Sequence, residues 1–116
     1  HVPALSVCGW YDAYAGAALE HFAGMRAHGA SAATRTSQRL VMGPWHHLNG
    51  ERIVGQVDFG QDAGPNIHEM EGRFLGCWLR GIDDGMAGEP PLRVCGVLRS
   101  CVDRGGPLGL RRSAVG

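Results

Sequence analysis

Arg39-Leu40-Val41-Met42-Gly43-Pro44-Trp45-His46-His47 is the stretch on which the reading of the fold turns. Three apolar residues between Arg39 and the breaker pair Gly43-Pro44 are too few for a helix and suit a short strand buried on both faces. Upstream, Val2-Pro3-Ala4-Leu5-Ser6-Val7-Cys8 is a second run of the same kind, closed by Gly9. Pro3 stands near its start, where a missing N–H donor is tolerated. Between the two runs, Gly9-Trp10-Tyr11-Asp12 reads as a loop leading into a helix over Tyr14–His28. In that helix Ala15, Leu19, Phe22 and Met25 recur at helical spacing, and Gly29 is a natural stop. Ser31–Ser37 reads as a surface connection. Strand, helix, strand, with both strands apolar on two faces, predicts an α/β fold built on a parallel sheet.

Downstream of His47 the periodicity disappears, and Trp45–Gly64 reads as a long ordered loop of the kind that often carries function. Pro65 can open a second helix, with Ile67, Met70, Phe74 and Trp78 as its apolar stripe and Gly81 as its stop. Asp83-Asp84-Gly85 is a turn, Glu89-Pro90-Pro91 a stiff linker, and Leu92–Leu98 a strand expected to open a new sheet. Two strands cannot make a sheet alone. The expectation is therefore a C-terminal fragment of an α/β domain, with its earlier strands upstream of His1 and with exposed edges prone to aggregation.

Composition narrows the classes. The 116 residues are 44% hydrophobic, which excludes disorder, and eleven basic residues balance eleven acidic ones. Every basic residue is Arg. Zero net charge gives no pull toward nucleic acid or a membrane surface, and no run approaches the ~18 apolar residues of a membrane span. The charge is unevenly spread: residues 93–116 hold five Arg against one Asp, and the segment reads as a flexible basic tail or as the product of a slipped reading frame past about Val94. The four cysteines, Cys8, Cys77, Cys95 and Cys101, lack the paired spacing of a zinc site. Cys8 and Cys77 read as buried thiols, with a lean toward a reducing compartment, the cytoplasm.

Asp12 follows the carboxyl end of the first strand, and His46 and His47 follow that of the second. In parallel sheets that edge collects ligands and chemistry. A carboxylate and an imidazole on neighbouring loops there make an Asp–His pair, in which the acid orients the base. Asp12 reads equally as a helix N-cap and the histidines as loop packing. The strand–Gly-x-Ser-x-Gly–helix elbow of a hydrolase serine is absent; Gly29-Ala30-Ser31-Ala32-Ala33 follows a helix and comes after the acid, the wrong order. Trp10, Tyr11 and Trp45 read either as walls of an acyl pocket or as packing around the loops.

The ordered series Val2-Pro3-Ala4-Leu5, Gly9-Trp10-Tyr11-Asp12, Arg39 to His47, Val57-Asp58-Phe59-Gly60, Arg73 to Gly81 and Glu89 to Val94 resembles the cocaine-esterase/Xaa-Pro dipeptidyl-peptidase family of serine hydrolases. The resemblance covers residues 2 to about 94. It implies that residues 1–88 are the C-terminal part of an α/β-hydrolase catalytic domain and that residues 89–116 are a linker and the start of a jelly-roll-like β-sandwich. It implies Asp12 as the triad acid and His47 as the triad base, with His46 standing where the family has a small polar residue. The implied reaction is hydrolysis of a small ester, amide or Xaa-Pro peptide through an acyl-enzyme, with no metal or other cofactor. Without the serine the chain alone is expected to be inactive. The alternative reading is a non-catalytic α/β fragment.

Overall fold

Residues 2–47, 50–64, 66–95 and 102–104 are described by the computed structural model of the chain. The two apolar runs lie side by side. Strand β1 (Ala4–Gly9) is parallel to β2 (Gln38–Gly43), in register from Ala4 opposite Gln38 to Gly9 opposite Gly43. The chain between them forms helices α1 (Ala15–His28) and α2 (Ala32–Thr36). After β2 come a hairpin of β3 (Ile53–Val54) and β4 (Val57–Asp58), then helix α3 (Ile67–Arg80).

Strand alternation sorts the core into two layers, because successive side chains point to opposite faces. Cys8, Leu40 and Met42 meet Ala15, Ala18, Leu19 and Phe22 of α1 on one face. Val41, with Trp45 and Cys95, meets Leu5, Val7, Ile67 and Met70 on the other, the last two from α3. Leu40, Val41 and Met42 are 0–2% exposed. Full burial of such a side chain is worth roughly 1.5–3 kcal/mol, so this tripeptide anchors both layers. None of α1 is fully buried.

Several expectations need correction. Ser31–Ser37 is a surface connection that folds into a helix: Ser31, Ala32, Ala33 and Thr36 are exposed, Ser31 caps α2 by accepting the Thr34 N–H at 3.1 Å, and Thr34 and Ser37 are buried. Small residues without periodicity hide such a turn. Trp45–Gly64 holds the β3–β4 hairpin, closed by a two-residue turn with Gly55 at φ +62° and by Arg52 bonded to Asp58 at 2.6 Å. The start of α3 is capped by the Asn66 side chain, and Pro65 lies outside the described residues. Gly81 ends α3 in the left-handed conformation expected of a C-terminal glycine, whereas Gly29 leaves α1 in an extended one. Trp78, read as part of the α3 stripe, is 42% exposed.

The largest departure is at the second sheet edge. Strand β5 (Leu92–Val94) does not open a new sheet; it lies parallel to β2, with Leu40 opposite Leu92. The Leu40 N–H donates to the Pro91 carbonyl at 2.9 Å and the Cys95 N–H to the Met42 carbonyl at 2.8 Å. Strand β6 (Val102–Arg104), within the stretch read as a flexible tail, runs antiparallel to β5 and gives the order β1-β2-β5-β6. Among the described residues a separate β-sandwich sheet is not seen. Cys95 is disulfide-bonded, Cys8 is a buried free thiol and Cys77 is only partly buried. The disulfide removes the support for a reducing compartment. No helix among the described residues is long and apolar enough to cross a membrane.

Charge holds the segment leading into β5. Arg73 of α3 bonds Asp84 and Glu89, both at 2.7 Å. The Arg73 bond, with the Met86 N–H, lowers the Asp84 carboxyl below its ordinary value of 3.8, and Arg52 and the Gly60 N–H do the same for Asp58. A lowered folded value means stability that is fully present above 3.8 and lost as pH falls from there through the folded value. The denaturation midpoint is expected to drop across that window in acid titrations, and Arg73→Gln is expected to flatten the drop. A midpoint independent of pH below 4 would contradict these pairings.

Candidate active site

Because Gly9 and Gly43 stand opposite each other, β1 and β2 end level and release their loops at one edge. The loops then cross-bond: the Trp10 N–H donates to the Gly43 carbonyl at 2.8 Å and the Tyr11 N–H to the Trp45 carbonyl at 3.2 Å. This approach depends on two missing side chains. A Cβ at Gly9 would stand 1.8 Å from the Trp45 carbonyl oxygen, and one at Gly43 would stand 2.1 Å from the Trp45 ring. Trp45 is fully buried under the sheet, against Val41 and Cys95. It therefore packs in the core, and its indole fixes the path of the loop that carries both histidines.

That path sets His47 against Asp12, with Nδ1 to Oδ2 at 3.0 Å. The other carboxylate oxygen accepts the Tyr14 N–H at 2.9 Å. Asp12 thus does both things its sequence position allows. It satisfies a backbone donor where α1 begins, and it holds an imidazole from the neighbouring loop. Its side chain is 7% exposed, against 78% for His47. The Tyr14 N–H bond, followed by the bond and the charge of His47, lowers the Asp12 carboxyl below its ordinary value. Both bonds favour Asp12 as the anion. An anion at Nδ1 keeps the proton on that nitrogen and leaves Nε2 as the acceptor.

His46, adjacent in sequence, turns elsewhere: its Nδ1 lies 3.3 Å from Glu51 Oε2. Only one of the two imidazoles meets Asp12. Trp10 and Tyr11 are 39% and 63% exposed, and the Tyr11 ring lies 6.5 Å from that of Phe59, just after β4. Tyr14 places its ring 5.9 Å from His47. Sequence reasoning missed Tyr14, Glu51 and Phe59. The Asp12-x-Tyr14 spacing, that of an Asx turn, was the available signal for the first; the others lie in a segment without pattern. Among the described residues, no group of three or more His, Cys, Asp or Glu side chains is placed to hold a metal ion.

No family model matches the chain. The chain is 35% identical over 95 residues to cocaine esterase from Rhodococcus sp. (strain MB1 Bresler), a match covering 79% of this chain and 15% of that protein. The chain thus spans a small part of the length of the curated relative it matches. The parallel sheet with flanking helices is compatible with an α/β fold, and the similarity marks a hydrolase-like segment.

Proposed function

We propose that this chain is the acid-and-base segment of a serine hydrolase, with Asp12 and His47 as two members of a Ser-His-Asp triad. The observation that carries the reading is the 3.0 Å contact from His47 Nδ1 to Asp12 Oδ2 at the carboxyl edge of adjacent parallel strands. In this reading the nucleophilic serine lies outside these 116 residues, since the sequence holds no Gly-x-Ser-x-Gly and no serine among the described residues sits at a strand-to-helix elbow. His47 Nε2 takes the proton of the serine Oγ as that oxygen attacks the substrate carbonyl. The same proton passes to the leaving group as the acyl-enzyme forms, and water then repeats the sequence to release the acid. Asp12 keeps Nδ1 protonated throughout and stabilises the imidazolium.

An ester is the substrate class favoured over an amide or Xaa-Pro peptide, because the relative is an esterase by name. In this reading Trp10 and Tyr11, exposed and next to Asp12 in the chain, contact the acyl group of the ester. The reading predicts no turnover by the 116-residue chain itself, because it assigns the nucleophile and the oxyanion hole to residues outside it. Purified chain incubated with chromogenic acyl esters is expected to match buffer. Turnover that disappears in His47→Ala would show that a nucleophile is already present and would overturn the division of labour.

A further inference from the structure

We infer that Tyr14 is a positioning residue for the Asp12–His47 pair, an inference that rests on the triad reading. One hydrogen bond does not hold an imidazole that is 78% exposed, because the ring can still swing about the Nδ1 contact. Tyr14 supplies what is missing from two sides. Its N–H fixes Asp12 Oδ1 at 2.9 Å, so the carboxylate cannot rotate away from His47. Its ring lies 5.9 Å from the imidazole, inclined at 52°, as a tilted aromatic neighbour on one side of it.

Tyr14 is itself rigid. Its carbonyl accepts the Ala18 N–H at 2.9 Å in the first turn of α1, and its amide is held by Asp12. The ring is 64% exposed and belongs to neither core layer, so burial does not account for its place. Its ring neighbours the base, and its backbone N–H bonds the acid. The acid is thus held by the Tyr14 backbone and the base by the Tyr14 ring, and the two are coupled through one residue at the helix start.

The test uses the 116-residue chain labelled with nitrogen-15 histidine and reads the His47 tautomer by long-range proton–nitrogen correlation in mildly alkaline buffer. The wild-type chain and Tyr14→Phe are expected to show the Nδ1–H form, because the ring and the backbone N–H are both kept. Tyr14→Ala and Tyr14→Gln are expected to lose that signature, with helix content by circular dichroism unchanged. A Tyr14→Ala or Tyr14→Gln spectrum like that of the wild type overturns the positioning role. Asp12→Asn separates the two claims. If it erases the signature while the ring-less variants keep it, the pair stands and Tyr14 does not position it. If the wild-type chain shows only the Nε2–H form, the pair fails and the inference falls with it.

Discussion

In a chain extended to carry the serine, His47→Ala is expected to lower kcat by about 10⁴-fold or more, with a much smaller effect on KM. The loss falls on kcat because the imbalance is in the transition state: no group takes the serine proton as the oxygen attacks. Asp12→Asn is expected to cost on the order of 10⁴, since an amide at Oδ2 can present a donor to Nδ1 and impose the wrong tautomer. The double variant is expected to lose little more than either single one, because the residues act as a unit. His46→Ala is the discriminating control. His46 faces Glu51 and not Asp12, so its removal is expected to leave kcat within a few-fold of the parent. Steady-state ester hydrolysis by the parent and the four purified variants measures all of this. A dead His46→Ala beside an active His47→Ala would reverse the assignment of the base.

Gly43→Ala is the second large effect, and it acts on the fold. The new methyl would stand 2.1 Å from two atoms of the Trp45 ring, and that ring is fully buried with no free space to enter. Overpacking of this kind typically costs ~1–3 kcal/mol and sometimes more. Gly9→Ala is expected to be at least as severe, because its 1.8 Å clash is with the Trp45 carbonyl, backbone that cannot change rotamer. Both substitutions push the loop bearing His47 away from Asp12, so the Nδ1–H signature of His47 is expected to vanish along with stability. Gly16→Ala and Gly24→Ala give the opposite sign. Both glycines lie in α1 with open space around the new Cβ, where the substitution is worth ~0.5–1 kcal/mol in favour of the helix. Denaturant midpoints of the four variants, compared with the parent, check the sign of each. A Gly43→Ala chain as stable as the parent would show that the Trp45 packing is not needed.

Much of the architecture was legible in residues 4–9 and 38–43. Short apolar runs bounded by glycine read as buried strands, and a helix between them favours a parallel pair; β2 is the inner strand, whereas β1 stands at the sheet edge and is mostly half-buried. The carboxyl edge follows from that topology, so Asp12 and His47 could be placed on neighbouring loops from their positions alone. Helices α1 and α3 followed from apolar spacing, and the Gly81 stop from its position. Helix α2 was not legible, because the Ser31 cap serves a run of small residues with no apolar period.

Other features depended on distances that no linear pattern encodes. Which of two adjacent imidazoles meets the acid is decided by how Trp45 packs against Gly9 and Gly43, a matter of space across two loops. That Trp45 packs in the core follows from its burial beneath the sheet. Strand β5 joins β2 because the far side of β2 carries unpaired backbone groups that Pro91 and Cys95 satisfy, whereas the proline pair before it reads locally only as a break. The residues by themselves determined strands β1 and β2, helices α1 and α3 and the edge where an acid and a base emerge, since those follow from local period and chain direction. The tertiary structure alone decided the partner of each side chain at that edge, because pairing is set by contacts between segments some thirty-five residues apart, as between Asp12 and His47.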